Sequence, residues 1–162
     1  MPQTFKLSNQ YISGLVQWLM IQSLKGQFSR ARTRFVRKCE ARLNEMLDFE
    51  KELKEKYVVK EKNGEFKVKE ENGKKVYVFA NKIDEGEYIK QKTDLYKEDF
   101  VIELNQENKK DFKILKDVIL DTDYKFGPIQ GQTPEQNVMS IRLSNEYDYW
   151  CTSVETLNTN KV

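Results

Sequence analysis

LKGQFSRARTRFVRKCEARLNEMLDFEKELKEKY, Leu24 to Tyr57, is the stretch whose reading decides the architecture. Phe28, Ala31, Phe35, Cys39, Leu43, Met46, Phe49, Leu53 and Tyr57 recur at steps of three or four. That spacing follows the helical period of about 3.6 residues. After Gly26 neither Pro nor Gly interrupts it, so the stretch predicts one long amphipathic helix. Ser29 is a candidate cap. Glu50 with Lys54, and Glu52 with Lys56, stand four apart in the order that favours pairing along a helix.

The first half of this helix is basic. It carries Arg30, Arg32, Arg34, Arg37, Lys38 and Arg42, with Lys25 just before, and only Glu40 opposes them. At about 100° per residue, Arg30, Arg34, Arg37 and Lys38 turn away from the apolar stripe. Arg32, Arg42 and Glu50 fall on the stripe itself. A charge aimed at a core must snorkel, pair or meet a partner, because unpaired burial is costly. Two readings stand for Arg32 and Arg42. They pair with carboxylates at the edge of the stripe, or they form a surface that binds a protein or another anionic partner. The outward set, Arg30, Arg34, Arg37 and Lys38, is the candidate for nucleic acid.

Upstream, Tyr11, Ile12, Leu15, Val16, Trp18, Leu19, Met20, Ile21 and Leu24 make a segment apolar over most of a helix circumference, the mark of a buried helix. It is expected from about Asn9 to Lys25, with Ser8 as N-cap and Gly26 as the left-handed C-terminal residue. Joined by a short link, the two helices predict a helical hairpin. Met1 to Leu7 reads as a short extended lead.

Downstream the pattern changes. Asn63-Gly64 and Asn72-Gly73 each sit between short segments with Val, Phe or Tyr, and Asn-Gly favours the type I′ hairpin turn. A three-stranded meander is expected: Val58 to Lys62, Phe66 to Glu70 and Lys75 to Phe79. Asn81 to Lys97 returns to helical character, weakened by Gly86. FVIEL, Phe100 to Leu104, reads as a strand, and Asn105 as the cap of a helix over Gln106 to Leu120. Asp121 to Gln132 is expected as a loop. At Thr133-Pro134-Glu135-Gln136 a capping box conflicts with the strand-like alternation of Met139, Ile141 and Leu143, and both readings stand. Tyr147, Trp150, Cys151, Val154 and Leu157 fit one face of a last helix.

The predicted class is therefore α+β, mainly helical: an N-terminal helical hairpin with a long second helix, a small antiparallel β-meander and further C-terminal helices. Residues 1–162 are read as one domain, with 58–79 protruding from it as the meander. The net charge of +2 makes the basic half-helix a local feature rather than a property of the whole chain. Cys39 and Cys151 belong to no CxxC pair and are expected as buried thiols, with a disulfide between them the alternative. No secretory leader is visible, and Tyr11 to Leu24 is too short and polar to span a bilayer, so no membrane partner is expected.

The chain has no His, which removes Ser-His-Asp and Cys-His catalysis and His-ligated metals. It has no P-loop and no dinucleotide loop. Asp121 and Asp123 begin a calcium-like pattern, but Lys125 and Phe126 occupy the next ligand and turn positions. Adjacent carboxylates such as Glu98 and Asp99 read as solvated surface. No enzyme activity and no cofactor are expected.

Leu24, Gly26, Ser29, Arg30, Arg32, Arg34 and Phe35 carry a resemblance. LKGQFSRARTRFVRKCEARL is similar to the opening of a family of small uncharacterised bacteriophage proteins, with an apolar first helix, Leu-x-Gly, a Ser-Arg-x-Arg-x-Arg/Lys-Phe run and a long charged helix. FVIEL and YDYWCTSVETL, Tyr147 to Leu157, resemble that family's later strand and ending; Gly127 to Leu143 departs from its pattern. The resemblance implies a gene of the phage tail or late region. It points to a non-enzymatic accessory protein that binds another protein, a virion tail component or a host factor, and it includes inhibitors of host defence. The implied location is the cytoplasm of the infected bacterium or the virion. Nucleic-acid binding through the basic face of the long helix is the alternative.

Overall fold

The apolar spacing and absence of breakers between Gln27 and Tyr57 produce one helix of 31 residues, α2 (Gln27–Tyr57). The structure, a computed structural model, describes residues 2–121 and 146–158. Besides α2 it contains β1 (Thr4–Ser8), α1 (Ile12–Ile21), β2 (Val68–Glu71), β3 (Lys74–Tyr77), α3 (Lys82–Lys97), β4 (Asp99–Glu103) and α4 (Lys109–Leu120). A further helix, α5, runs over 146–155 and ends in the 3-10 turn Thr156–Asn158. The chain is mainly helical α+β, with a long second helix and two two-stranded antiparallel sheets. The expectations for residues 122–145, including the capping box at Thr133, lie outside the described residues.

The described residues fall into two compact units. The first comprises the chain up to Arg42 and from Asp99 onward, the second Leu43–Glu98, and the boundary falls inside α2.

In the first unit the extended lead is a strand. β1 pairs antiparallel with β4 in the register Phe5 opposite Ile102 and Leu7 opposite Phe100. Burial alternates along β1, so Phe5 and Leu7 enter the core while Lys6 is exposed. The Phe5 ring meets Phe35 of α2 edge-on at 5.5 Å and Phe112 of α4 at 5.3 Å, and Phe35 meets Phe112 at 5.6 Å. A second aromatic group joins α1 to α5, with Trp18 and Trp150 at 5.8 Å and both fully buried. Val154 is buried beside Trp150 on the predicted face of α5. Cys39 is buried, and neither it nor Cys151 forms a disulfide; burial pushes the Cys39 thiol pKa well above its usual range.

α1 starts at Ile12, after a 3-10 turn at Asn9–Tyr11, and three further boundaries differ from expectation for local reasons. α1 ends at Ile21 rather than at Lys25, because Gln22 turns extended and its side-chain amide donates to the Trp18 carbonyl at 3.0 Å. Gly26 does adopt a left-handed φ of 58°, but it opens α2, where its carbonyl accepts from Arg30 N at 3.1 Å. Ser29 consequently lies inside α2. Asn105 does not cap α4 directly: its Oδ1 accepts from Glu107 N and Asn108 N, making an Asx turn ahead of a helix that starts at Lys109.

In the second unit, Asn72 and Gly73 have φ of 52° and 74°, as a type I′ turn requires, and they join β2 to β3. The Asn63-Gly64 turn differs, because only Gly64 has positive φ there. Gly64 N donates to the Glu61 carbonyl at 3.0 Å and Glu61 N to the Glu65 carbonyl at 2.7 Å, which is a three-residue turn ending in a left-handed glycine. The first expected strand, Val58 to Lys62, is reduced to the bridges Val58–Phe79 and Lys60–Phe66. Met46, Val58, Tyr88 and Leu95 are buried in this unit.

Asn81 caps α3: its Oδ1 accepts from Asp84 N at 2.9 Å. We expect Asn81→Ala to cost about 1 kcal/mol and Asn81→Ser to cost little, as read by chemical denaturation.

Candidate functional site

The basic half of α2 is the one sequence feature that resembles a functional surface, and the structure divides its cations into two sets. The inward set is engaged in the fold. Arg32 Nη1 donates to the Leu19 carbonyl at 3.1 Å and to the Gln22 carbonyl at 2.7 Å. The last carbonyls of a helix lack intrahelical donors and carry partial negative charge, so a guanidinium there satisfies both needs. Arg42 Nε donates to Oδ1 of Asn9 at 3.0 Å, and Asn9 is fully buried where β1 gives way to α1. Arg32 meets neutral carbonyl oxygens rather than the carboxylate one reading expected, and Arg42 bonds a buried amide oxygen. Their donors thus close helix and strand ends inside the first unit, and the protein-binding role read for them acquires a structural competitor.

Glu50, the other charge on the stripe, is buried in the second unit. It accepts from the Tyr96 hydroxyl, and Lys92 Nζ lies 3.9 Å from its other oxygen. The hydrogen bond to this carboxylate pushes the Tyr96 pKa up to about 12.

The outward set is split. Arg34 makes a two-pronged pair with Asp111 of α4, Nε to Oδ2 at 2.5 Å and Nη2 to Oδ1 at 2.6 Å. Its side chain is still 53% exposed, whereas that of Asp111 is 11% exposed. The fork matches the carboxylate geometry, and such bonds are among the strong ones. The hydrogen bond to Arg34 holds the Asp111 carboxyl below its usual range. Nothing local in the sequence marks Asp111 as the partner of Arg34, because the two lie on helices far apart in the chain. Arg30, Arg37 and Lys38 are exposed and have no hydrogen bond or ion pair through their side chains among the described residues.

The helix therefore presents three open cations and the half-exposed guanidinium of Arg34 to solvent. Phe28 and Phe35 lie on the apolar stripe, Phe35 buried in the cluster with Phe5 and Phe112, so among the described residues of α2 no ring stands on this face for a base to stack on. Chemically the face can hold anions; among the described residues no group of three Cys, Asp or Glu side chains is placed to hold a metal ion. No helix of the described residues is long and apolar enough to cross a membrane.

Two outcomes follow from these bonds. Arg32→Ala removes the donor to the Gln22 carbonyl and leaves the Leu19 carbonyl only its bond from Gln22 N, and we expect a loss of about 1–3 kcal/mol in denaturant titration, partly restored in Arg32→Lys. The Asp111 pKa lies lower in the folded chain than its ordinary value of about 3.9, so the stability due to the pair is complete above that value. It is lost as pH falls through the folded value. Melting temperature measured below about pH 4 should therefore fall less steeply in Asp111→Asn than in the parent chain.

No family model matches this chain, and neither a curated protein nor a solved structure shows significant similarity to it, so the resemblance to small phage proteins gains no support from these comparisons.

Proposed function

We propose that this chain is a non-catalytic binding protein that engages an acidic surface on a protein partner through the outward face of α2. The observation that carries the reading is the division of charge on that helix. Arg32, Arg34 and Arg42 have partners within the first unit, whereas Arg30, Arg37 and Lys38 are exposed with none among the described residues. Arg30 and Arg37 stand seven residues apart, two turns along one face, with Lys38 beside them. Complementary charge of this kind raises the association rate and selects among partners more than it adds affinity. The absence of His, P-loop and dinucleotide loop from the sequence is consistent with binding rather than turnover. The resemblance to small phage proteins directs the search for the partner to virion tail components and host factors.

Nucleic acid is the second reading. The exposed part of Arg34 favours it, since that would make a four-cation row of Arg30, Arg34, Arg37 and Lys38. Against it stand the lack of an aromatic ring on this face and the whole-chain charge of +2.

The test uses the full chain as bait, alone and as the triple variant Arg30→Glu, Arg37→Glu, Lys38→Glu, with melting temperature as the control for folding. A captured acidic protein whose purified form binds the parent chain, and binds the variant at least ten-fold more weakly, supports the proposal. Unchanged affinity in a folded variant overturns it. Capture of nucleic acid, with log K falling against log salt at a slope of roughly −3.6 for four phosphates, selects the second reading.

A further inference from the structure

The first unit contains a cavity of about 570 Å³, bordered by Gln3, by Leu104 after β4, by α4 and by Leu157 in the 3-10 turn. Such a volume lies within the range of small-molecule sites, roughly 300–1,000 Å³. Its apolar lining is Leu104, Phe112 and Leu157. Its charged lining is Lys109, Lys110, Lys113 and Lys116, with no Asp or Glu among the described lining residues. Positions 109, 113 and 116 step by four and three, so they stack on one face of α4. Gln3 Nε2 donates to the Leu157 carbonyl and so ties two of the bordering segments together.

Lys116 is the informative residue. It is 8% exposed, and its side chain has no hydrogen bond or ion pair among the described residues. Its stem lies buried along apolar surface while Nζ stays accessible at the cavity, where an anion can reach it. An apolar residue there would extend the buried face of α4, where Phe112, Leu115 and Ile119 already pack. Four lysines beside an apolar lining, with no carboxylate among the described lining residues, make the cavity complementary to an anion that carries an apolar tail. The cavity of comparable size in the second unit, about 510 Å³, differs: Glu71 and Glu85 stand there among its lysines.

We propose that the lysine-lined cavity binds an amphipathic anion, with an alkyl chain against Leu104, Phe112 and Leu157 and a carboxylate or phosphate head on Lys116 and its lysine neighbours. The site stands independently of the protein-binding reading of α2.

Titration calorimetry on the full chain, below the micelle concentration of each probe, tests this. The probes are dodecanoate, dodecyl phosphate, dodecyltrimethylammonium and inorganic phosphate. Saturable one-to-one binding of either amphipathic anion, at least ten-fold tighter than the cation and than inorganic phosphate, is expected; the stronger of the two anions identifies the head group. Lys116→Met is expected to lose at least ten-fold in affinity while it stays folded, and Lys116→Arg to keep binding. The exposed variant Lys113→Glu is expected to weaken binding as well, which preserves the test should Lys116→Met misfold. The proposal is overturned if neither anion saturates, if the cation or inorganic phosphate binds as tightly, or if folded Lys116→Met or Lys113→Glu binds like the parent chain.

Discussion

The first unit depends on a pairing between residues remote in sequence: Thr4–Ser8 against Asp99–Glu103. The entropy of closing so long a loop grows only logarithmically with its length, so distance along the chain is not the main obstacle. The obstacle is that a two-stranded ribbon is marginal in water. Side chains beneath it overcome this. Phe5 and Leu7 point to one face of β1, and Phe5 joins the ring cluster with Phe35 and Phe112. Burying aromatic side chains adds a large apolar area to the few backbone bonds of the ribbon. One cluster thus holds a strand and two helices in register with one another.

The charges that interrupt the apolar stripe of α2 have a common logic. Arg32 reaches helix-end carbonyls, Arg42 reaches a buried amide oxygen, and Glu50 takes a tyrosine hydroxyl. In each case the interrupting charge bonds a polar group of the fold. A long helix with such charges is more specific in its packing than a purely apolar one, since a shift by one residue would leave donors and acceptors unmatched together. Arg30, Arg37 and Lys38 make no such contribution among the described residues, and for that reason function is sought on them.

What the residues disclosed in advance follows the range of the interactions involved. The three-to-four spacing from Phe28 to Tyr57 is local and marks α2 without help from the rest of the chain. The turn at Asn72-Gly73 is equally local. Gly26 was legible as a left-handed residue but not as the opening of α2, because the end of α1 depends on Arg32 reaching back from the next helix. The partner of β1 was not legible, since alternation over five residues says that a strand has a buried face and not which strand lies beside it. At the candidate surface, the outward direction of Arg30, Arg37 and Lys38 follows from helical geometry. The capture of Arg34 by Asp111 depends on the packing of α4 against α2. The lysines of KKDFKILK were visible at their helical spacing too, but only the cavity beside them sets Lys116 apart.

The order in which the pieces emerge during synthesis follows from the strand pairing. The chain leaves the ribosome from its N-terminus, at roughly 5–20 residues per second in the cell. β1 is made first, yet the strand that completes it is made only after every residue of Leu43–Glu98. For that interval the edge of β1, with Phe5 and Leu7, has no native partner strand. The nascent chain therefore passes through several seconds in which an apolar edge strand is available to chaperones or to neighbouring chains.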